Sequence, residues 1–456
     1  MITRREALAF GSSVPFAGNL WKGIVWTPLD LIGEDAHGAW ESEATGHVVD
    51  VSSAGLRVFH RLDDTWFQDS GLTPAFSLFA RTADTLLLQH YDYRQTPFLM
   101  QTPARLTRST RPLRAALTQA DVVAPSAVFD LICRSFDHYY AFFAERGVDW
   151  TATRREAAPR LVENNGAVFD LLAGMLAPLD DGHVNLSRGE RQFNAGRPKL
   201  RETLKHAWRA GASVETESAF VARWSRESRA SMIATLDPGS ARSGANGALE
   251  WGRLGDVGYL RVNRFSGFLA GQATRQQQVA ALQSTLAEAE GAFSGTRCVI
   301  VDVAHNGGGN DAAAMVVARH FADQPRRVLT YSTRGMPDQP IELAPAGTAY
   351  PRPVVLVASE ITASAAEVFV MMMRAFPHVT QVGGRTRGML SSLLPKPFPN
   401  GFMATMVYQR VLDCTGLAYE ARGLPPAREI DLFPAADLWT GYAKAVRDLA
   451  VAGAEA

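Results

Sequence analysis

The sequence contains few cysteines, no excess of charge of either sign and no long apolar run. Only Cys133, Cys298 and Cys414 occur in 456 residues, and their spacing fits neither a disulfide framework nor a zinc site. Lysine plus arginine and aspartate plus glutamate each total 46, so the formal net charge is zero. A nucleic-acid-binding protein usually has a basic excess, and a membrane span needs about 18 or more apolar residues in a row. We therefore expect neither a nucleic-acid partner nor a membrane span.

The first 24 residues resemble an export signal. Arg4 and Arg5 precede an uncharged stretch from Ala7 to Trp21, as in twin-arginine signals, where the arginines are read by a receptor. Serines, a proline and a glycine interrupt the stretch, and it has no clear cleavage site. We predict export to the periplasm or the cell exterior. The alternative is a cytoplasmic protein with a chance arginine pair.

The rest of the chain divides by its hydrophobic pattern, with 46% apolar and 20% charged residues, as in ordinary globular proteins. Residues 25–115 hold short alternating runs, which predict a β-rich domain. Apolar residues at helical spacing predict a helical subdomain over 116–190. Residues 191–250 indicate a mixed connection with a few strands. In 251–456, buried-strand and helix patterns alternate, which is typical of an α/β core.

Three aromatic residues of the β-rich domain allow two interpretations. Trp40, Trp66 and Phe67 could line a ligand pocket. Large aromatic side chains more often fill a core, and we favour that interpretation.

Two loops of the α/β region carry residues suited to catalysis. The run Asn306-Gly307-Gly308-Gly309-Asn310 follows a buried apolar strand, and successive glycine N–H groups there could bind an anion. Its spacing fits neither a P-loop nor a dinucleotide-binding motif. Ser364 lies between a predicted strand and helix, where the helix dipole and free N–H groups favour a nucleophile that generates an oxyanion. The alternative is that Thr362 or Ser364 only caps the helix.

A third loop, Asp181-Gly182-His183, ends the helical subdomain. A lone histidine after an acidic turn is usually a polar loop residue. It could serve as a general base only if the fold brings it to Ser364, because proton transfer needs hydrogen-bond reach.

The order of these motifs resembles the serine peptidases of the tail-specific (C-terminal-processing) and tricorn-core family. The resemblance runs from about residue 136 to the C-terminus. It rests on Leu-Asp-Asp-Gly-His (179–183), Val-Asp-x-x-x-Asn-Gly-Gly-Gly (301–309), Thr-Ala-Ser-Ala-Ala-Glu (362–367), Gly-x-x-Thr-x-Gly (383–388) and Tyr-Glu-Ala-Arg-Gly-Leu-Pro-Pro (419–426). It implies a crotonase/ClpP-like β-β-α catalytic core, a peptide or protein substrate, and no cofactor or metal.

The same resemblance implies roles for individual residues. Ser364 would be the nucleophile. The backbone N–H groups of Ala365 and of a glycine in the run 307–309, first of all Gly308, would form the oxyanion hole. His183 would be the base, as in the tricorn-like branch, and Glu420 would orient it, as in a serine-histidine-acid triad.

Other residues of the chain are candidates for the acid and the base. Glu367 is the rival carboxylate, but three residues into the helix it more plausibly supports the helix start. His305 and His378 are rival bases, interpreted as a loop side chain and an exposed residue. The tail-specific branch uses a lysine where this chain has Met389, and the next lysine, Lys396, lies between prolines. We therefore do not expect a serine-lysine dyad.

The chain departs from the family pattern at two points. Ala304 replaces the usual arginine of Asp-x-Arg-x-Asn-Gly-Gly, and no PDZ-like domain is evident between His183 and Val257. We predict a serine peptidase that acts through an acyl-enzyme. The alternatives are a non-catalytic ligand-binding protein on the same fold and an esterase of small acyl substrates.

Overall fold

The structure, a computed structural model, describes residues 27–28, 32–69, 76–82, 84–90, 104–111, 115–211, 215–271, 273–347 and 352–452. The predicted export segment, residues 1–24, lies outside these ranges. Within them, none of the helices is long and apolar enough to cross a lipid bilayer.

The N-terminal part of the chain is a β-rich domain, which confirms the predicted fold class. It forms an antiparallel eight-stranded sheet in the order β1-β6-β7-β8-β2-β3-β4-β5. Its strands are β1 (Thr27–Pro28), β2 (Gly38–Glu41), β3 (His47–Ser52), β4 (Gly55–Leu62), β5 (Thr65–Gln68), β6 (Phe76–Arg81), β7 (Thr85–His90) and β8 (Ala104–Arg108). Trp40, Trp66 and Phe67 are at most 4% exposed and pack in buried apolar clusters, as the core interpretation expects, with Phe67 in the cluster shared with the helical subdomain.

A helical subdomain follows, consisting of α1 (Pro125–Tyr139), α2 (Trp150–Ala157) and α3 (Asn165–Leu176). The Asn164 side chain accepts hydrogen bonds from the Gly166 and Ala167 N–H groups and so caps α3. The apolar faces of the helices pack on a four-stranded sheet in the order β10-β9-β20-β19. Its strands are β9 (Asn185–Arg188), β10 (Arg191–Asn194), β19 (Leu393–Phe398) and β20 (Phe402–Val407).

The connection before the α/β core contains more helix than its pattern indicated. Besides short strands, it forms α4 (Lys199–Ala210) and α5 (Glu217–Ile233). Leu200, Leu204, Phe220 and Trp224 of these helices are buried against the core. The arginine- and serine-rich composition concealed these helices, because only a narrow stripe of each is apolar.

The α/β core is built on a seven-stranded sheet in the order β11-β12-β13-β14-β17-β18-β22, parallel from β13 to β22. Its strands are β11 (Arg242–Gly244), β12 (Leu249–Leu254), β13 (Val257–Val262), β14 (Cys298–Asp302), β17 (Val354–Ala358), β18 (Val379–Gly383) and β22 (Arg428–Glu429). All five residues of β14 are buried, because apolar clusters cover both faces of the sheet.

Helices and a small sheet complete the core. The helices are α6 (Arg275–Ala292), α7 (Asp311–Arg319), α8 (Ala365–Arg374) and α9 (Gly441–Ala452), and the sheet has the order β16-β15-β21, with β15 (Arg326–Thr333), β16 (Gln339–Leu343) and β21 (Gln409–Asp413). The core and the helical subdomain confirm the rest of the predicted fold class.

The topology places the glycine loop and the Ser364 loop side by side. β14 and β17 are adjacent and parallel, with Asp302 opposite Val357. The loop with three glycines follows β14 and the Ser364 loop follows β17. Both therefore lie at the carboxyl edge of the sheet, where open α/β sheets bind ligands.

Candidate active site

The glycine loop is held in place by Asn306, which is fully buried. Its side-chain amide donates to the Val262 carbonyl at 2.9 Å, and its oxygen accepts the Gly308 N–H at 2.8 Å. Its own carbonyl accepts the Ala363 N–H at 3.2 Å. One asparagine thus connects the glycine loop both to β13 and to the serine loop.

Ser364 has a strained backbone and an uncommitted hydroxyl. Its φ of 56° and ψ of −129° lie where a residue with a side chain is rarely found. The hydroxyl makes no hydrogen bond to the helix that it precedes. Thr362 does not cap the helix either, because its hydroxyl donates to the Val303 carbonyl at 2.9 Å. The capping interpretation of this loop is therefore wrong.

Gly308 approaches the serine so closely that no side chain fits there. A Cβ on Gly308 would lie 2.8 Å from the Ser364 Cβ and 3.2 Å from the Ala365 nitrogen, and the φ of Gly308 is +114°. By contrast, a Cβ on Gly307 would meet nothing within 4 Å. Position 308 must therefore be a glycine, because any Cβ there would collide with Ser364. Position 307 has room for a side chain.

The N–H groups beside Ser364 differ in their availability. Ala365 is the first residue of α8, where an N–H has no partner inside the helix, and it donates to no acceptor among the described residues. The Gly308 N–H already donates to Asn306. The N–H groups of Gly307 and Gly309 have no acceptor within the described ranges, and both glycines are exposed. Which glycine of the run 307–309 would supply a second oxyanion donor stays a prediction.

Glu367 supports more than the helix start. Its carboxylate accepts the Thr386 hydroxyl at 2.6 Å and the N–H groups of Gly388 and Met389 at 2.7 Å each. Burial raises the pKa of Glu367 to about 7, against the opposing effect of these donors. The 386–389 turn is therefore attached to α8 one helical turn after Ser364.

The His183 loop reaches this turn through Met389. The Met389 side chain packs so tightly on Gly182 that a Cβ there would lie 2.6 Å from its methyl carbon. The residue that replaces the lysine of the tail-specific branch thus fills the space beside the histidine loop. Lys396 lies elsewhere, hydrogen-bonded to the Thr45 carbonyl and to His60.

His183 is 7% exposed, and its Nδ1 has no hydrogen-bond partner among the residues that the structure describes. Its main-chain N–H donates to Asp181 Oδ1 at 2.9 Å. Burial lowers the pKa of His183, and Asp181 partly opposes that effect. The imidazole is therefore neutral at neutral pH, as a general base requires.

Glu420 lies next to the histidine loop, but its oxygens are bonded to other groups. Oε2 accepts the N–H groups of Leu390 and Ser391 at 2.8 and 2.9 Å, and Oε1 accepts from Arg146 at 3.1 Å. The Ser391 main-chain carbonyl, as an acceptor for the imidazole, acts to raise the pKa of His183. Glu420 thus contacts the histidine environment through the Ser391 main chain.

Sequence reasoning missed Arg146. This buried side chain joins Glu420 to the His183 loop. It lies between α1 and α2, and only its sequence neighbourhood of aromatic residues distinguishes it from a surface arginine.

Two tyrosine hydroxyls donate to Asp302, the acid at the end of β14. Buried Asp302 accepts the Tyr442 hydroxyl at 2.5 Å and the Tyr259 hydroxyl at 3.0 Å. His305 packs against Trp224, Phe433 and Tyr442, and His378 is half-buried and stacked on Phe376. His305 is thus a loop residue, as predicted, with a packed ring, and His378 is half-buried where the sequence indicated an exposed residue.

A strained serine at a helix start, beside a glycine loop on a parallel α/β sheet, is an arrangement suited to a serine hydrolase. Residues 256–430 match the sequence profile of peptidase family S41. This match, over that region, assigns the protein to the class of serine peptidases.

Solved structures share this fold. A protein from Parabacteroides merdae ATCC 43184, provisionally described as a peptidase, is 23% identical with a TM-score of 0.57, over 74% of this chain and 98% of that one. Mature CPAF is 13% identical with a TM-score of 0.51, over 72% of this chain and 97% of that one. No curated protein sequence matches the chain significantly.

Proposed function

We propose that this serine peptidase cleaves peptide bonds through an acyl-enzyme on Ser364, with His183 as general base. The observation that carries the proposal is the strained serine with an uncommitted hydroxyl next to the available N–H of Ala365. Strain of this kind persists where the surrounding structure enforces it, and it clusters at active sites.

In the first step His183 takes the proton of the Ser364 hydroxyl while the oxygen attacks the substrate carbonyl carbon. The negative charge of the tetrahedral intermediate then develops on the former carbonyl oxygen. Imidazolium returns the proton to the leaving amine, and water later hydrolyses the acyl-serine by the same route. A neutral, buried imidazole suits this exchange, because it can accept the proton at neutral pH.

We assign the oxyanion to the N–H of Ala365 and to one N–H of the glycine loop, that of Gly307 or Gly309. None of these three has an acceptor among the described residues, whereas the Gly308 N–H is used by Asn306. Gly308 keeps a different role: without a Cβ, it allows the glycine loop to pack against Ser364. Donors that are fixed before reaction stabilise the developing charge without reorganisation.

Glu420 is proposed to orient His183 indirectly. Its carboxylate holds the Leu390 and Ser391 main chain, and that main chain faces the imidazole. Glu420 would thus act on the His183 imidazole through the main chain at Ser391.

A fluorophosphonate probe tests the nucleophile directly, because an activated serine displaces fluoride from phosphorus and retains the label. We expect covalent labelling of the wild type at Ser364, found by peptide mapping, and none of Ser364→Ala. Turnover of peptides against p-nitrophenyl esters then separates a peptidase from an esterase. Labelling at another residue, or equal turnover by both proteins, would exclude Ser364.

A second candidate function is non-catalytic ligand binding. It is favoured by one observation: the His183 Nδ1 has no partner among the described residues, and the Glu420 oxygens are occupied by Arg146 and two N–H groups. A wild type that ignores the probe and hydrolyses neither peptides nor esters would support this alternative.

We also propose export through the Arg4-Arg5 signal. Cell fractionation of the full chain should recover the protein outside the cytoplasm. The paired change Arg4→Lys and Arg5→Lys should retain it inside, because the arginines are the recognised feature.

A further inference from the structure

One buried guanidinium, that of Arg146, contacts the His183 loop, the Gly388 turn and Glu420. Arg146 lies in the segment between α1 and α2, which is anchored by the buried Phe142, and its side chain is 4% exposed. Its main-chain N–H donates to the Phe142 carbonyl at 3.0 Å. This hydrogen bond and the burial of Phe142 hold the backbone from which the Arg146 side chain extends to the site.

The guanidinium contacts three separate pieces of chain. Towards the histidine loop, Nη1 donates to the Asp180 carbonyl at 2.6 Å, and Nη2 lies 3.5 Å from Asp181 Oδ2. Nη2 also donates to the Gly388 carbonyl at 3.0 Å and to Glu420 Oε1 at 3.1 Å. Residues 180, 388 and 420 are remote in sequence, and one side chain joins them.

Each of these contact residues is in turn hydrogen-bonded to a further group of the proposed site. Asp181 accepts the His183 N–H, and it also accepts the Tyr140 hydroxyl at 2.8 Å. Gly388 donates to Glu367, which is three residues after Ser364. Glu420 holds Ser391. Arg146 is thus one contact away from both the base and the serine helix.

We propose that Arg146 is a positioning residue of the peptidase, holding the His183 loop, the Gly388 turn and Glu420 in one arrangement. The inference rests on the proposed function for its catalytic consequence. An arginine suits this position better than a lysine, because its planar fork offers several donors in fixed directions and it stays charged when buried.

The charge of Arg146 matters as well as its shape. Burial raises the pKa of Glu420, as do Asp181 and Glu367, and Arg146 opposes these effects. Arg146 also lowers the pKa of His183. Removing the cation should therefore raise both pKa values and move the acidic limb of the pH-rate profile to higher pH.

The test compares Arg146→Met and Arg146→Lys with the control Arg261→Met. Arg261 is equally buried and bonded to a glutamate, with Nη2 2.5 Å from Glu250 Oε2, on β13 and outside the proposed machinery. For Arg146→Met we expect kcat/KM to fall about 100-fold, as for a misplacement of about 1 Å. The acidic limb should move up by about one pH unit. Arg146→Lys should largely restore the wild-type position of the acidic limb, because it keeps the positive charge. It should restore only part of kcat/KM, because lysine lacks the planar set of donors.

Amide hydrogen exchange provides a measurement that does not depend on activity. Exchange at His183, Leu390 and Ser391 should accelerate in Arg146→Met and stay at the wild-type rate in Arg261→Met. If the wild type is not labelled by the probe, the proposed function fails, and exchange still decides whether Arg146 organises these loops. Unchanged exchange and an unmoved acidic limb in Arg146→Met, or equal effects in Arg261→Met, would overturn the proposal.

Discussion

Two buried cationic side chains of this molecule, Arg146 and Lys396, differ in the partners that surround them. In the arginine cluster, Arg146 faces the carboxylates Asp181 and Glu420 at 3.5 and 3.1 Å. In the lysine cluster, the Lys396 Nζ donates to the Thr45 carbonyl at 2.8 Å and lies 3.1 Å from His60 Nδ1. In the lysine cluster, His60 lies between Lys396 and the Asp69 carboxylate, because the His60 Nε2 is 2.8 Å from Asp69.

The difference decides the charge of each cation. Burial lowers the pKa of Lys396 to about 7, and Asp69 only partly opposes it. Arg146 remains protonated because its intrinsic pKa is far higher and its acids are direct partners. The arginine cluster is thus a permanent ionic junction within the active site. The lysine cluster is a titratable junction between the N-terminal sheet and the β19–β20 hairpin.

The comparison therefore predicts that changes around Ser364 alter activity and that changes in the lysine cluster alter stability. Ser364→Ala should have the largest effect, a loss of peptide turnover of at least about 10⁴-fold. Its melting temperature should stay near that of the wild type, because the hydroxyl caps nothing. Steady-state kinetics and thermal unfolding measure the two quantities. Residual turnover within tenfold of the wild type would contradict the assignment.

Gly308→Ala should be next, with a loss of about 10²- to 10³-fold, similar to the removal of an oxyanion donor. The added methyl group would lie 2.8 Å from the Ser364 Cβ and would displace the glycine loop from the nucleophile. Gly307→Ala is the matched control, because its methyl group would meet nothing within 4 Å. Equal kcat/KM values for the two variants would refute this account of the loop.

Lys396→Met tests the lysine cluster. Between about pH 7 and pH 10 the unfolded chain binds a proton at Lys396 and the folded chain does not, so the wild-type free energy of unfolding rises with pH. From pH 7.5 to pH 9 the rise should be about 2 kcal/mol, and Lys396→Met should lack it. Denaturant unfolding at both pH values measures the slope.

The exposed Lys444 supplies the control for that experiment. Lys444→Met should keep the wild-type slope, and all these lysine variants should keep wild-type turnover. The same slope in Lys396→Met would show that the buried amine does not titrate as its surroundings indicate.

The smallest effect concerns strain. Ser364→Gly should raise the free energy of unfolding by about 1 kcal/mol, because glycine adopts the positive φ of 56° without cost. Comparison with Ser364→Ala isolates the backbone contribution, since both variants lack the hydroxyl. A glycine variant less stable than the alanine variant would mean that the position is not strained.

Local patterns predicted much of the fold. The buried run at 298–302 became β14, and the apolar spacing before His183 became α1 and α3, because burial imposes a period on each kind of element. The serine loop and the glycine loop were also visible, since strand, turn and helix follow one another directly in the sequence. Helices α4 and α5 were not predicted, because their polar faces outweigh the apolar stripe.

The sequence by itself determined which groups are available: a serine before a helix, a glycine loop after a strand, a histidine loop, and methionine where a lysine would serve a dyad. Only the tertiary structure decided how they are used. It assigned the Gly308 N–H to Asn306, placed Glu420 on the Ser391 main chain, and brought Arg146 to three loops. The physical reason is that a hydrogen bond depends on distance and direction, which sequence separation does not contain.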